Sequence, residues 1–568
     1  MKRNGGEDIK KILDGEAGVE RRDSFQNTIQ AYEKLLETDP DNSEAHFCLG
    51  LAFGSQNRLE DAIGELSKAA QLDPRNARAH FHLGLAFQDQ GRMNEATAEL
   101  KKTIELDSRN ARAHFQLGLA FQDQGRMKEA LVELKKAIEI DPANAEAHYH
   151  MAVAYGTLNV PDVATSELKK AIELDSSDPR FHLLLGVTYR KESKFAEAIM
   201  ELRKTIKLDP ASAEAHFHLG LCFGSLSKLD LEAEELRKSI ELKPQNAEAH
   251  YYLGLTYGTL NKVEEAIGEL NKAIGLNPRD ARPHFTLGLI YQNQHRLDEA
   301  VKELQRSIDL DPDNAKAYFH LGLAYLDQKK ITEAIENLRR TIDLDPENPE
   351  AYMHLGLAYL DQKKLKEGIS HLQKTIQINP ENPRAYFHLG LAYLDQKKVD
   401  EALRNIRKTI ELDPQDEIAH KKLGVEYSKQ GKWSEALKEL QEAVELDPKD
   451  AVPHFIIGLI YKNQRRLDEA VKELQRSIDL DPDNAKAYFH LGLAYLDQKK
   501  TDEAVNDLQK TIELDPQNPK AHYYLGLIYE KQNRLDDAIN ELEKTIDLDP
   551  KDVDAQILLM KLKKKCGY

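Results

Sequence analysis

Proline recurs along this chain on a comb of spacing 34. Pro40, Pro74, Pro142, Pro210, Pro244, Pro278, Pro312, Pro346, Pro380, Pro414, Pro448, Pro482, Pro516 and Pro550 occupy it, and Ser108 and Ser176 fill the two remaining teeth. Fifteen copies of one 34-residue unit therefore run without insertion from Asn42 to Asp552. Such a period marks a stack of supersecondary units, none of which buries its apolar face alone, and it overrides any domain count from length. The unit is plainest at residues 313–345, where AKAYFHLGLAYLDQ and ITEAIENLRRTIDL each have helix length and the second ends at Asp-Pro. Residues 296–330 and 466–500 are identical, which points to duplication of a block of units.

The punctuation of each unit predicts a helical hairpin. The Asn42 register is always Asn, Asp or Ser, which accept from the free N–H groups at a helix start. Several units follow with proline at the first helical position, as at Pro349, Pro383 and Pro519. The first helix buries the Leu49, Ala52 and Phe53 registers and ends near Asn57, Gly91 or Gly125, residues that tolerate a left-handed turn. A basic residue follows in fourteen of fifteen units, from Arg58 to Arg534, placed to interact with the carboxyl end of the helix dipole. The second helix stops at Asp-Pro, where proline has no N–H to give. Glycine in a helix interior costs about 1 kcal/mol against alanine. Keeping it at the Gly50 register in all units but one (Ala152) implies close helix approach.

Leu49, Gly50, Phe53, Ala62, Leu66 and Pro74, with their equivalents, resemble the tetratricopeptide-repeat family over about nine tenths of the chain. Alanine at the Ala62 register gives way only at Glu232 and Gly368, and histidine or tyrosine stands at the His46 register where family members often carry tryptophan. The resemblance implies an all-α right-handed superhelical solenoid of tandem helix-turn-helix repeats. It further implies that first helices line a concave groove, exposing the registers of Phe47, Cys48, Leu51, Gly54 and Ser55. The expected organisation is an irregular segment at 1–22, a lone second helix at 23–40 (Phe25, Ile29, Tyr32, Leu36), the fifteen repeats at 41–552, and a capping helix and tail at 553–568. There Ile557, Leu558 and Leu562 share a side among lysines.

The chain carries a formal net charge of −18 with 31% charged residues. That acidic balance argues against nucleic acid, which needs a basic surface. No apolar run is long enough to span a membrane, and the N-terminus lacks the apolar core of a signal peptide, so a cytoplasmic location is expected. Cys48, Cys222 and Cys566 are far apart and have no metal-like spacing. No phosphate loop, nucleophile elbow or room for a catalytic domain is evident. The chain reads as non-enzymatic, with no cofactor and no metal.

Eighteen of twenty histidines fall in first helices. Pairs such as His80/His82 point about 200° apart on a helix and do not chelate. The His46 register reads as core of the hairpin, its ring N–H reaching a backbone or side-chain partner. The candidate partner-binding surface is a stripe along the groove: Phe47, Phe81, Phe115, Tyr149, Phe217, Tyr251, Phe285, Phe319, Phe387, Phe455, Phe489 and Tyr523. Beside it run His82, His150, His218, His320, His354, His388 and His490, and at its edge Asp327, Asp361, Asp395 and Asp497. Such a stripe fits an extended peptide; alternatively, neighbouring first helices bury it. The histidines are expected to titrate near about 6.5 and make binding pH-sensitive. The family's carboxylate clamp and asparagine ladder are disfavoured by the apolar and histidine registers here. Lys421, Lys422 and Glu426 make the twelfth copy charged. The function expected is a scaffold for protein or peptide partners; the alternatives are an accessory arm of a separate enzyme or a purely architectural protein.

Overall fold

A computed structural model describes residues 23–566. Among these residues there are thirty-two α-helices and no strand. The segment 1–22 lies outside the described residues. After α1 (Asp23–Thr38), first helices of 13 residues alternate with second helices of 14, from α2 (Ser43–Ser55) and α3 (Leu59–Leu72) to α31 (Leu535–Leu548), and α32 (Val553–Cys566), of 14 residues, follows. The chain divides into two compact units, Met1–Ile290 and Tyr291–Tyr568. Each is a run of helical hairpins in which consecutive helices pack on each other.

The turns follow the residue chemistry. Asn42 Oδ1 accepts from the Ala45 N–H at 2.9 Å, and the equivalent cap recurs at the first helices, as at Asn314 and Asp416. At the end of α2, Asn57 has φ +61° and Arg58 N–H donates to Phe53 O at 3.0 Å, closing the helix through a left-handed residue. All fifteen residues of this register have positive φ, including Lys329, Lys363, Lys397, Arg465 and Lys499. The hairpin geometry thus imposes the left-handed turn on residues that do not favour it, beyond the asparagines and glycines that signalled it in sequence.

Close approach is set by Gly50 and its equivalents. A Cβ on Gly50 would lie 2.7 Å from Leu66 Cγ, and one on Gly118 would lie 2.8 Å from Leu134 Cγ. Burying each leucine gains about 1.5–3 kcal/mol, which exceeds the cost of about 1 kcal/mol for a helical glycine. The Arg58 guanidinium lies over the Phe53 ring at 4.1 Å, and the pairing recurs at Arg92/Phe87 and Lys330/Tyr325, among others. The basic register therefore covers an aromatic ring as well as standing at the helix end.

The histidine core has a specific partner. His114 Nδ1 lies 2.6 Å from Glu133 Oε2, and its Nε2 lies 3.3 Å from the Ser108 carbonyl. The ring thus bridges a glutamate of the second helix and the carbonyl of the preceding turn. His46, His80, His182, His250 and His420 repeat both contacts. Every histidine of this register has a glutamate nineteen residues later, whereas Tyr318, Tyr352, Tyr386 and Tyr488 face Asn337, His371, Asn405 and Asp507.

In α1, Ile29, Tyr32 and Leu36 pack on Leu49, Ala52, Phe53 and Ala62. In α32, Ala555 and Leu562 join the core of the preceding hairpin. Ile557, grouped with Leu562 in the sequence, is instead 52% exposed together with Val553 and Met560. Ile557 holds the Phe47 register, which elsewhere meets the following unit.

Candidate partner-binding surface

The aromatic stripe lies between successive first helices. Phe47, Phe81, Phe217 and Phe489 are buried; Phe115, Tyr149, Tyr251, Phe285, Phe319, Phe387, Phe455 and Tyr523 are half-buried. Most rings that pack forward meet the Cys48 register of the next unit, while Tyr149 meets Phe181. Phe47 meets His82 at 5.7 Å between centroids and Phe115 meets His150 at 5.8 Å. Phe319 meets His354 at 5.9 Å and Phe455 meets His490 at 5.8 Å. Helical periodicity placed these residues on one face, but the 34-residue translation decides which neighbour each ring touches. The face exposes only part of each ring, and the rest of its area stabilises the stack.

That packing changes the electrostatics of the histidines. Burial, aided by Arg78 and Arg112, pushes the His82 imidazole down to about 4. Burial with Lys462 and Lys520 does the same at His490, to about 4. His320, His354 and His388 are lowered too, by burial first and neighbouring cations second. His150 is locked to Gln122, whose Oε1 lies 3.0 Å from its ring and whose amide donates to the His150 carbonyl at 2.7 Å. The expectation of titration near 6.5 is therefore corrected. At His82, His320, His354, His388 and His490 desolvation between first helices disfavours the charged form.

The aspartates differ. Asp327, Asp361 and Asp395 are exposed, stand in successive units and make no ion pair among the described residues. Asp497 is exposed beside Arg465, at 3.3 Å. The charges of the twelfth copy are paired: Lys421 donates to Asp450 of the next copy at 2.5 Å and Lys429 to the buried Glu426 at 2.8 Å. The accessible part of the surface is thus acidic and aromatic-edged. No helix among the described residues is long and apolar enough to cross a membrane.

The Glu44 register adds ion pairs that helical periodicity does not reveal, because it sets glutamate and arginine side by side in neighbouring units. Arg180 pairs with Glu146, and Arg282 Nη1 lies 3.8 Å from Glu248. The signal in the sequence is a pair of opposite charges spaced by one period.

Models of helical-repeat families match along the chain. The model for the cilia and flagella-associated protein 70 C-terminal domain matches residues 284–485 and 348–558. TPR-repeat models match 53–91, 87–125, 120–159 and 259–295, and further tetratricopeptide-repeat models match 183–247, 31–64 and 235–268. No curated protein matches the chain. Among solved structures, the Cut9–Hcn1 hetero-tetramer of the APC/C is 17% identical, covering 88% of this chain and 98% of that one, with a TM-score of 0.32. MamA is 30% identical over 29% of this chain and 95% of its own, with a TM-score of 0.28. YrrB, described as a TPR protein with an unusual peptide-binding site, is 23% identical over 32% of this chain and 95% of its own, with a TM-score of 0.30.

Proposed function

Because the chain belongs to the tetratricopeptide-repeat family, we propose that it is a non-catalytic, cytoplasmic scaffold that binds protein or peptide segments along its first helices. The observation that carries this reading is the repeated acidic edge. Asp327, Asp361 and Asp395 recur once per unit, exposed and free of ion pairs among the described residues, beside half-buried rings. Charges kept free of internal partners on a rigid repeat favour a ligand that supplies the opposite sign at matching intervals. The partner is therefore an extended segment bearing basic residues, its apolar side chains lying on the exposed parts of the rings. On this reading a lone second helix at 23–40 and a capping helix from 553 flank the fifteen repeats.

The test is affinity capture of partners followed by crosslinking mass spectrometry. Crosslinks that cluster on first-helix residues support the reading. Crosslinks confined to second helices overturn it and favour the architectural alternative.

A further inference from the structure

The repeats act as internal controls for one another, and among the intervals that begin with a glutamate in the Glu44 register one lacks the arginine that the rest have. Glutamate occupies the Glu44 register at Glu44, Glu146, Glu214, Glu248 and Glu350. One period later stand Arg78, Arg180, Glu248, Arg282 and Arg384. Four of the five glutamates are thus followed by arginine, and only Glu214 is followed by a second glutamate.

Where the arginine is present, it fills a cradle made by the preceding unit. The Arg180 guanidinium pairs with Glu146 and sits 5.5 Å from the centre of the Tyr149 ring. Arg282 lies 4.8 Å from the Tyr251 ring and 3.8 Å from Glu248. Arg78 lies 5.0 Å from the Phe47 ring. At Arg180 and Arg282 the guanidinium is held first by an aspartate of its own unit, Asp178 or Asp280, and then by the carboxylate and aromatic face of the preceding unit. Carboxylate and ring quadrupole both attract the flat cation, and its fork of N–H donors suits the carboxylate.

Between the sixth and seventh units the preceding carboxylate and ring remain, as Glu214 and Phe217, Asn246 stands where Asp178 and Asp280 do, and no arginine arrives. A cavity of about 300 Å³ opens there instead, lined by Ala213, Glu214, Phe217, His218, Lys243, Asn246 and Glu248. That is the lower end of the size range of ligand pockets. Its walls carry two carboxylates. His218 lines it too, its Nε2 lying 3.9 Å from Glu214. His218 first, and then the charge of Lys243, hold the Glu214 carboxyl below its usual range. Among the described residues Lys243 forms no ion pair with either glutamate, and Glu248 is shared with Arg282 only at 3.8 Å.

We propose that this cavity is an arginine-binding subsite. It accepts the guanidinium of a partner segment in the place that Arg180 and Arg282 occupy in the sister units. The inference deepens the scaffold reading, on which it rests for the identity of its ligand as a protein segment. It names the side chain such a segment presents at the sixth unit. A lysine ammonium gains less here, since it can neither lie flat on Phe217 nor fork between oxygens.

The experiment uses the full chain with alanine methyl labels, reading the Ala213 signal by NMR. The probes are Nα-acetyl-arginine amide, the matching lysine amide, and the neutral isostere Nα-acetyl-citrulline amide. The arginine probe is expected to shift Ala213 saturably, with citrulline at least about tenfold weaker. Glu214→Gln should weaken the arginine response to a similar degree. Glu248→Arg should abolish it, because the new side chain fills the cradle as Arg180 does. An equal response to citrulline, or an unchanged response in Glu248→Arg, overturns the proposal, as does no saturable shift. The outcome is separable from the scaffold reading. Partner crosslinks confined to second helices, with a saturable Ala213 shift, would sink the scaffold reading and leave the subsite standing.

Discussion

Changing Asp507 to Asn should stabilise the fourteenth repeat at alkaline pH and do nothing at acid pH. Asp507 occupies the position that carries glutamate opposite each histidine of the core, but its unit has Tyr488 there. The sister tyrosine units solve the problem with Asn337 and Asn405. In Asp507 the Oδ2 atom is buried without a hydrogen-bond partner. Burial, with Glu503 adding repulsion, pushes the carboxyl up from 3.8 to about 7. The folded state thus holds its proton more tightly than the unfolded chain. The carboxyl is neutral and harmless below about 3.8, costs progressively more as pH rises toward about 7, and costs its full amount above that. At about 1.4 kcal/mol for each tenfold change in proton affinity, that displacement sets an upper bound of about 4 kcal/mol. The group is only half-buried, so solvent screening reduces this to about 1–2 kcal/mol. A repeat array does not unfold as one two-state body, so the assay must be local. Hydrogen exchange read on peptides from the helix Thr501–Leu514 should slow in Asp507→Asn by roughly tenfold at about pH 8 and be unchanged at about pH 4. Equal protection of the two proteins at alkaline pH, or the same gain at both pH values, would refute the reasoning.

Three further perturbations address single parts of the hairpin. Glu232 sits buried at the alanine register, with its carboxylate where a Cβ on Gly224 would fall, and burial raises its pKa. Glu232→Ala recreates the Gly54–Ala62 pairing of the first unit and should stabilise the sixth by roughly 1–2 kcal/mol near neutral pH, less as pH falls, by local exchange in the helix Leu229–Leu242. Lys329 holds φ +59°; Lys329→Gly should add roughly 0.5–1 kcal/mol to its hairpin in the same assay, the strain relieved exceeding the chain entropy lost. His114→Gln should cost only about 1 kcal/mol, because Gln556 at the same register donates to the Pro550 carbonyl at 2.8 Å and shows that the carbonyl bond survives while the glutamate bond is lost.

The fold was legible because the signal repeats: a proline comb, an asparagine cap and a helical glycine each return at one spacing. A single unit with Lys329 at its turn would not have announced a left-handed residue, and only the register it shares with Gly91 and Asn57 reveals it. The partner of the core histidines was also written in the chain, as a glutamate nineteen residues on, yet helical periodicity does not look that far. The groove was less legible for the same physical reason. Which face Phe319 occupies follows from a 3.6-residue turn, whereas its burial against His354 follows from how one unit translates onto the next. The vacant arginine place at Glu214 becomes visible only when neighbouring units are compared in space.

The central claim is that the first-helix face, through its free aspartates, is the surface that holds a partner. The direct measurement is the affinity of a captured partner for two charge-matched variants of the full chain. One carries Asp327→Lys, Asp361→Lys and Asp395→Lys; the other carries Glu336→Lys, Asp343→Lys and Glu445→Lys, three exposed acids on second helices. The account predicts a loss of about tenfold or more in the first variant and less than about twofold in the second. Equal losses in the two, or a loss confined to the second-helix variant, would contradict it.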